Sequence, residues 1–148
     1  MEELIDKEDI TLTNVREFNE SILKCNKEKA ETILNKILPS MSFMDETESF
    51  YHGFIFGLFT SFINNKFIIK SNREAGDGRF DLMIESEDRE NGYIIEFKIT
   101  KDEDIESVAT KAIEQMKTKE YYKELQLDKV KNIYEFAIVF KGKNAIVR

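Results

Sequence analysis

Two short segments in the second half of the chain restrict the fold most strongly. They are RFDLMIE at Arg79–Glu85 and YIIEFKIT at Tyr93–Thr100. In each segment apolar side chains alternate with polar or charged ones, the pattern of a β-strand with one face in the core. The polar sequence SEDREN lies between them and can serve as the loop of a hairpin. We therefore predict an antiparallel β-hairpin at this point of the chain.

The predicted hairpin also determines which side chains face one another. With SEDREN as the loop, Asp81 lies opposite Glu96 in the neighbouring strand. Directly opposed residues share a face of the sheet, with Cβ atoms about 4.5–5.5 Å apart. Lys98 shares that face because it lies two residues beyond Glu96. Two carboxylates and one amine are thus expected together on strands that are otherwise rich in Ile, Phe and Leu.

This group of three ionisable residues allows two interpretations. Two neighbouring carboxylates repel each other unless a cation or a shared proton lies between them, and their hard oxygens suit Mg²⁺ or Mn²⁺. A lysine beside such an ion can orient or deprotonate an attacking water and offset charge on a phosphate. The alternative is structural, with Lys98 forming a salt bridge between Asp81 and Glu96 at the end of a sheet.

The rest of the chain adds helices before and after the hairpin and further strands. We predict two helices within residues 13–38 that break at Asn26, a buried helix from Thr47 to Asn64, a strand at Phe67–Ser71, a helix from Glu103 to Leu125, and strands at Tyr134–Phe140 and Ala145–Val147. This order predicts an α/β fold with a mixed central sheet of four or five strands flanked by helices.

Length, charge and cysteine content limit the function. The 148 residues fit one domain, residues 1–148. The net charge of −7 argues against a protein that grips long duplex DNA through its phosphates, although a local positive groove can coexist with it. Cys25 is the single cysteine, which excludes an internal disulfide and favours a reducing cytoplasm. We expect neither a signal peptide nor a membrane span.

The motifs GDGRFDLMI and YIIEFKI resemble the PD-(D/E)XK nuclease superfamily, in which a Gly-Arg-x-Asp strand precedes a Glu-x-Lys strand. ESFYHGFIFGLF, SNREAGDGR and AIEQMKTKEYY match the same pattern in the same order, over Glu46 to Lys143. The nearest likeness is to the nuclease-like domain that follows an AAA-type ATPase domain in bacterial proteins. Phe80 stands where the most familiar signature has Pro, and this sequence contains no ATPase domain.

The resemblance implies an architecture and a cofactor. It implies a restriction-endonuclease-like core over residues 46–148, preceded by a helical extension over residues 1–45. Asp81 and Glu96 would be metal ligands together with the backbone carbonyl of Phe97. Lys98 would be the catalytic lysine, and Glu48 the helix-borne acid that orients water or supports the metal, with Glu46 as the fallback for that role. The structural alternative for Glu48 is to cap the start of its helix. The cofactor would be Mg²⁺, with Mn²⁺ as a substitute.

Four further residues are supporting candidates, each with an ordinary structural alternative. His52 shares a helix face with Glu48 and is expected either to touch a phosphate or to be a buried, hydrogen-bonded histidine. Arg79 could clamp a phosphate or hold a carboxylate. Gln115 and Tyr121 fall at the family's later helix motif, where a glutamine often reaches the active site, but an exposed helix glutamine is also common.

The resulting expectation is a metal-dependent nuclease that hydrolyses phosphodiester bonds, in DNA rather than RNA. The alternative is a catalytically inactive module that keeps the fold and binds protein or nucleic acid. An ATPase partner is implied by the resemblance, and a homodimer through the helices would form a two-part cleft. No membrane partner is expected.

Overall fold

The computed structural model describes residues 2–40, 53, 57–59, 66–74, 79–118 and 120–148, and of these it describes the backbone alone for residues 2–12, 40, 72–74, 79 and 80. Within these ranges no helix has the length and apolar character needed to cross a membrane.

Two helices open the fold, α1 (Glu2–Leu23) and α2 (Lys27–Ile37), and a short 3-10 turn follows at Leu38–Ser40. The predicted break at Asn26 is confirmed. Asn26 is the N-cap of α2, and its side-chain oxygen accepts a hydrogen bond from the backbone N–H of Lys29 at 3.1 Å. Cys25 has φ 58°, a left-handed conformation that ends α1.

Five strands form one mixed sheet in which spatial order follows chain order. They are β1 (Phe67–Glu74), β2 (Arg79–Ser86), β3 (Asn91–Ile99), β4 (Asn132–Lys141) and β5 (Asn144–Val147). All neighbours are antiparallel except β3 and β4, which are parallel. A parallel pair needs a crossover connection, and two helices between β3 and β4 provide it. The predicted mixed α/β sheet with flanking helices is confirmed.

The single helix predicted over Glu103–Leu125 is wrong. The chain forms α3 (Ile105–Gln115), a 3-10 turn at Met116–Thr118, and α4 (Glu120–Leu127). At the break, the Thr118 hydroxyl donates a hydrogen bond to the Gln115 carbonyl at 2.6 Å, which competes with the regular hydrogen bonds of the helix. The apolar positions of α3 therefore do not continue in phase into α4.

The helices cover both faces of the sheet. One face packs against α1 and α2 through residues that include Leu82, Ile84, Ile95, Phe97 and Phe136. The other packs against α3 and α4 through residues that include Met83, Ile94, Ala137 and Val139. The alternation predicted for the hairpin therefore corresponds to two separate apolar layers.

The predicted helix from Thr47 to Asn64 lies largely outside the described residues. Gly53 and residues 57–59 are helical, and Leu58 and Phe59 are buried. The Phe59 ring meets the Phe18 ring edge to face at 5.6 Å, and the Asn19 side-chain amide donates a hydrogen bond to the Leu58 carbonyl at 2.7 Å. This short described part of the segment thus contacts α1 in the core.

Candidate active site

The β2–β3 hairpin has the predicted register. Asp81 lies opposite Glu96, and Arg79 lies opposite Lys98. The loop is held by Ser86, whose hydroxyl donates to the Asp88 carboxylate at 2.7 Å and accepts from the Asn91 N–H at 3.0 Å. These bonds close the hairpin at its turn and so help to fix the pairing further along the strands.

Packing on the opposite face makes the register difficult to change. Leu82, Ile95 and Phe97 are almost completely buried beneath α1 and α2. A slip of one residue would exchange the two faces and bring Asp81 and Glu96 into this apolar layer. Burying unpaired charges there would cost several kcal/mol, so the core itself directs the acidic residues to the α3–α4 side.

Both carboxylates of the candidate site are buried. Asp81 is 7% exposed and Glu96 is 1% exposed, whereas Lys98 is half-buried. Both Glu96 oxygens and Oδ1 of Asp81 have almost no contact with solvent. Carboxylates facing each other in such surroundings destabilise one another unless positive charge compensates, and the Lys98 amine belongs to the same face. The repulsion can therefore be relieved by a metal ion, by the Lys98 amine or by a shared proton.

Tyr121, near the beginning of α4, lies close enough to Asp81 for their charges to interact. Its side chain is half-buried. Burial, followed by the nearby charges of Asp81, Glu124 and Glu120, raises the pKa of Tyr121 to about 12. The phenol consequently stays neutral at physiological pH and can act as a hydrogen-bond donor beside Asp81.

The other candidate residues are less directly connected to this pair. Gln115 is exposed at the last position of α3. Arg79 occupies the strand position opposite Lys98, but its side chain is outside the described part of the structure. Glu48 and His52 lie outside the described residues altogether.

The donor set fits a hard divalent cation. Among the residues that the structure describes, no three His, Cys, Asp or Glu side chains come together as a metal cluster. Two carboxylates are nevertheless sufficient for Mg²⁺, which is commonly bound by one or two carboxylates together with waters and substrate phosphates. Asp81 and Glu96 supply such a pair, and the Phe97 carbonyl lies between Glu96 and Lys98 in the chain.

The sequence interpretation overlooked one acidic residue on this face. Glu85 is 6% exposed and shares the face of Asp81 because the two are four residues apart in β2. The alternation of β2 side chains between the two faces of the sheet is the signal that places Glu85 on this face. At about 3.3 Å per residue, Glu85 is some 13 Å from Asp81 along the strand, so it does not belong to the same site.

Comparison with known proteins identifies the family. A family model described as the PD-(D/E)XK nuclease superfamily matches residues 46–148, a range that contains the whole sheet and the hairpin with Asp81, Glu96 and Lys98. No curated protein and no solved structure shows a significant match. The mixed five-stranded sheet with flanking helices agrees with the restriction-endonuclease-like fold that the sequence motifs imply. The chain therefore belongs to the PD-(D/E)XK nuclease superfamily.

Proposed function

We propose that this protein is a Mg²⁺-dependent nuclease that hydrolyses phosphodiester bonds in DNA. The observation that carries the proposal is the pairing of Asp81 with Glu96 on the face of Lys98. Because the chain belongs to a nuclease superfamily, we infer that these residues form a catalytic centre for phosphodiester hydrolysis.

Each candidate residue of the hairpin has a defined role in the proposed reaction. Asp81, Glu96 and the Phe97 carbonyl would hold the ion. When bound, a divalent ion supplies Lewis-acid stabilisation of charge on the phosphate and a more acidic water. The Lys98 amine orients the attacking water and offsets the negative charge that develops on the phosphate oxygens. Tyr121 keeps its proton and supports the orientation of Asp81.

The proposal is tested by replacing the lysine. We expect Lys98→Ala to lower Mg²⁺-dependent cleavage of single-stranded and duplex DNA by about 100-fold or more, the usual scale of a lost acid–base group. Lys111→Ala is the matched control, because Lys111 is exposed on α3 and should leave cleavage unchanged. Thermal unfolding of both variants checks that they fold. Full activity of Lys98→Ala would remove the proposed mechanism.

A non-catalytic binding module is the second candidate function. The near-complete burial of Asp81 and Glu96 and the net charge of −7 favour it, because a nuclease must admit a polyanion to its carboxylates. The same preparation distinguishes the two candidates. A metal site should raise the Tm when Mn²⁺ is added, and Asp81→Asn should abolish that rise. Absence of both the rise and cleavage would favour the binding module.

Four finer expectations stay predictions. They are the relationship to nuclease-like domains that follow AAA-type ATPase domains, an ATPase partner, a homodimer, and a cytoplasmic location. The catalytic role of Glu48 and the supporting roles of His52, Arg79, Gln115 and Tyr121 also stay predictions. Cleavage by the isolated chain without ATP would show that an ATPase partner is not needed for the chemistry.

A further inference from the structure

The sheet has an open edge beside the first half of β4. β5 pairs only with the last part of β4, from Ile138 to Lys141, and Ala137 exchanges two backbone hydrogen bonds of 2.9 Å with Arg148, just beyond β5. Residues 132–136 therefore have β3 on one side and, among the residues that the structure describes, no strand on the other. We call residues 132–136 the open edge.

The backbone groups of Ile133 and Glu135 point outward from the open edge. Successive residues of a strand direct their N–H and C=O groups to opposite sides. The Asn132 N–H donates to the Glu90 carbonyl, just before β3, at 3.0 Å, whereas Ala137 bonds on the β5 side. Odd-numbered residues of β4 thus face away from β3. Within the described ranges, no group is hydrogen-bonded to the outward N–H and C=O of Ile133 and Glu135.

The outer edge of β5 is covered in a way that the open edge is not. Side chains of α2 form hydrogen bonds with the backbone of Ala145 and Val147 in β5. No side chain in the described part of the chain does the same for Ile133 or Glu135. A row of unpaired donors and acceptors on a strand is a template for the backbone of another strand.

The open edge lines a cavity of about 360 Å³ whose other walls stand on both faces of the sheet. Cys25 and Lys27, at the junction of α1 and α2, line it on one face, and Ile113 of α3 lines it on the other. A second copy of the chain would bring the same walls with it, and these would oppose the approach of two edges to the strand spacing of about 4.8 Å. A single extended segment has no such walls.

We propose that the open edge binds an extended peptide of another protein, which adds a strand antiparallel to β4 in line with β5. In this mode of recognition backbone hydrogen bonds supply affinity and the pockets for alternate side chains supply specificity. Both outward groups of Ile133 and of Glu135 would then be paired. The antiparallel direction is preferred because β5 already pairs in this way and antiparallel pairs are slightly more stable per residue. The peptide site does not depend on nuclease activity.

The walls of the cavity define which peptide side chains fit. Tyr134 and Phe136 face the α1–α2 side, and Ile133 and, by alternation, Glu135 face the α3–α4 side. The Lys27 amine lies 5.2 Å from the centre of the Phe136 ring, so an acidic residue fits opposite Phe136. A basic residue fits opposite Glu135, an aromatic one opposite Tyr134 and an aliphatic one opposite Ile133. From the N-terminus of the peptide the order is acidic, basic, aromatic, aliphatic.

The test uses a fluorescein-labelled synthetic peptide with the central sequence Glu-Lys-Phe-Ile-Thr. Its control has the same side chains but carries N-methyl groups on the lysine and isoleucine amides, the two that would donate to β4. Fluorescence anisotropy should show saturable binding of the first peptide and binding about 10-fold weaker or less of the second, because two backbone hydrogen bonds are lost. Amide chemical shifts should change at residues 132–136 when the first peptide is added.

Two pairs of variants test the protein side. Glu135→Pro removes an outward N–H at an edge position where proline is tolerated, and it should weaken binding more than Glu135→Ala, which loses the side chain alone. Lys27→Glu should weaken binding by about 2- to 5-fold and favour a peptide whose glutamate is replaced by lysine. Lys29→Glu, exposed on the same helix, is the control and should leave binding unchanged. The Lys27 pair keeps the test valid if Glu135→Pro does not fold.

Three results would overturn the proposal. The first is absence of binding, and the second is equal affinity for the methylated and unmethylated peptides, because the backbone of the open edge would then not be the binding element. The third is a concentration-dependent dimer in sedimentation experiments that Glu135→Pro abolishes, because it would assign the open edge to a second copy of the chain.

Discussion

At the scale of single residues, Gly92 shows how closely α4 approaches the sheet. It lies opposite Glu85 in the hairpin and is buried. A Cβ at this position would lie 2.9 Å from Cδ1 of Leu125 and 3.1 Å from Cγ1 of Val130. Both distances are shorter than ordinary van der Waals contacts, so glycine is needed here for the helix and its following turn to pack on β3.

Gly92→Ala should lower the free energy of unfolding by about 1–3 kcal/mol through overpacking. Leu125 can rotate away in part, but the β-branched Val130 is stiffer. Gly57→Ala is the control, because a Cβ on this exposed helical glycine would meet nothing within 4 Å. Urea unfolding should show a loss for Gly92→Ala and none for Gly57→Ala. Equal stabilities of both variants would mean that α4 is not packed this closely.

Individual residues also show what the sequence could predict. Asp81, Glu96 and Lys98 could be assigned to one face because the two-residue period of a strand and the position of the loop determine that face. The proximity of Tyr121 to Asp81 depends on where α4 begins, and the close approach of Gly92 to Leu125 and Val130 joins residues that are far apart in sequence. No local pattern encodes such distant contacts.

At the scale of secondary-structure elements, α2 protects the outer edge of β5. The Asn35 side-chain amide donates to the Ala145 carbonyl at 2.8 Å, and its oxygen accepts from the Ala145 N–H at 3.0 Å. Glu31 accepts a further bond from the Val147 N–H at 3.0 Å. Two helix side chains thereby satisfy backbone groups that a neighbouring strand would otherwise pair with.

Asn35→Ala should lower the free energy of unfolding by about 1–3 kcal/mol, because it leaves a partly buried donor and acceptor of Ala145 without these bonds. Lys36→Ala is the matched control on the same helix, since Lys36 is exposed and should change stability by no more than about 0.5 kcal/mol. Chemical unfolding of the two variants gives the comparison. A loss no larger than that of Lys36→Ala would show that the two hydrogen bonds of Asn35 to Ala145 do not contribute measurably to stability.

Element boundaries divide into those that the sequence encodes locally and those that it does not. The break at Asn26 was predictable because a capping side chain produces it. The break after Gln115 was missed because residues 103–125 are compatible with one continuous helix. Its position depends on the Thr118 hydroxyl and on the different apolar layers that α3 and α4 cover.

At the scale of the whole molecule, charge is distributed unevenly along the chain. Residues 1–50 carry 6 basic and 12 acidic side chains, whereas residues 101–148 carry 10 basic and 9 acidic ones. The described helices of the acidic part, α1 and α2, cover the face of the sheet opposite Asp81 and Glu96. The last part of the chain, which contains α3 and α4, is therefore the least negative in sequence.

This distribution predicts a weak salt dependence of DNA binding. A basic protein that neutralises many phosphates loses affinity steeply with salt, with a slope of about −0.9 per phosphate contact. Residues 101–148 carry 10 basic against 9 acidic side chains, and the chain as a whole, with a net charge of −7, repels a polyanion. The slope of log K against log salt should therefore be smaller in magnitude than about 3. Fluorescence anisotropy of labelled DNA measures this slope. Ca²⁺ replaces Mg²⁺ to suppress cleavage, and Lys111→Ala serves as the reference variant. A slope of about −6 or steeper would instead require a basic groove that the charge pattern of this sequence does not predict.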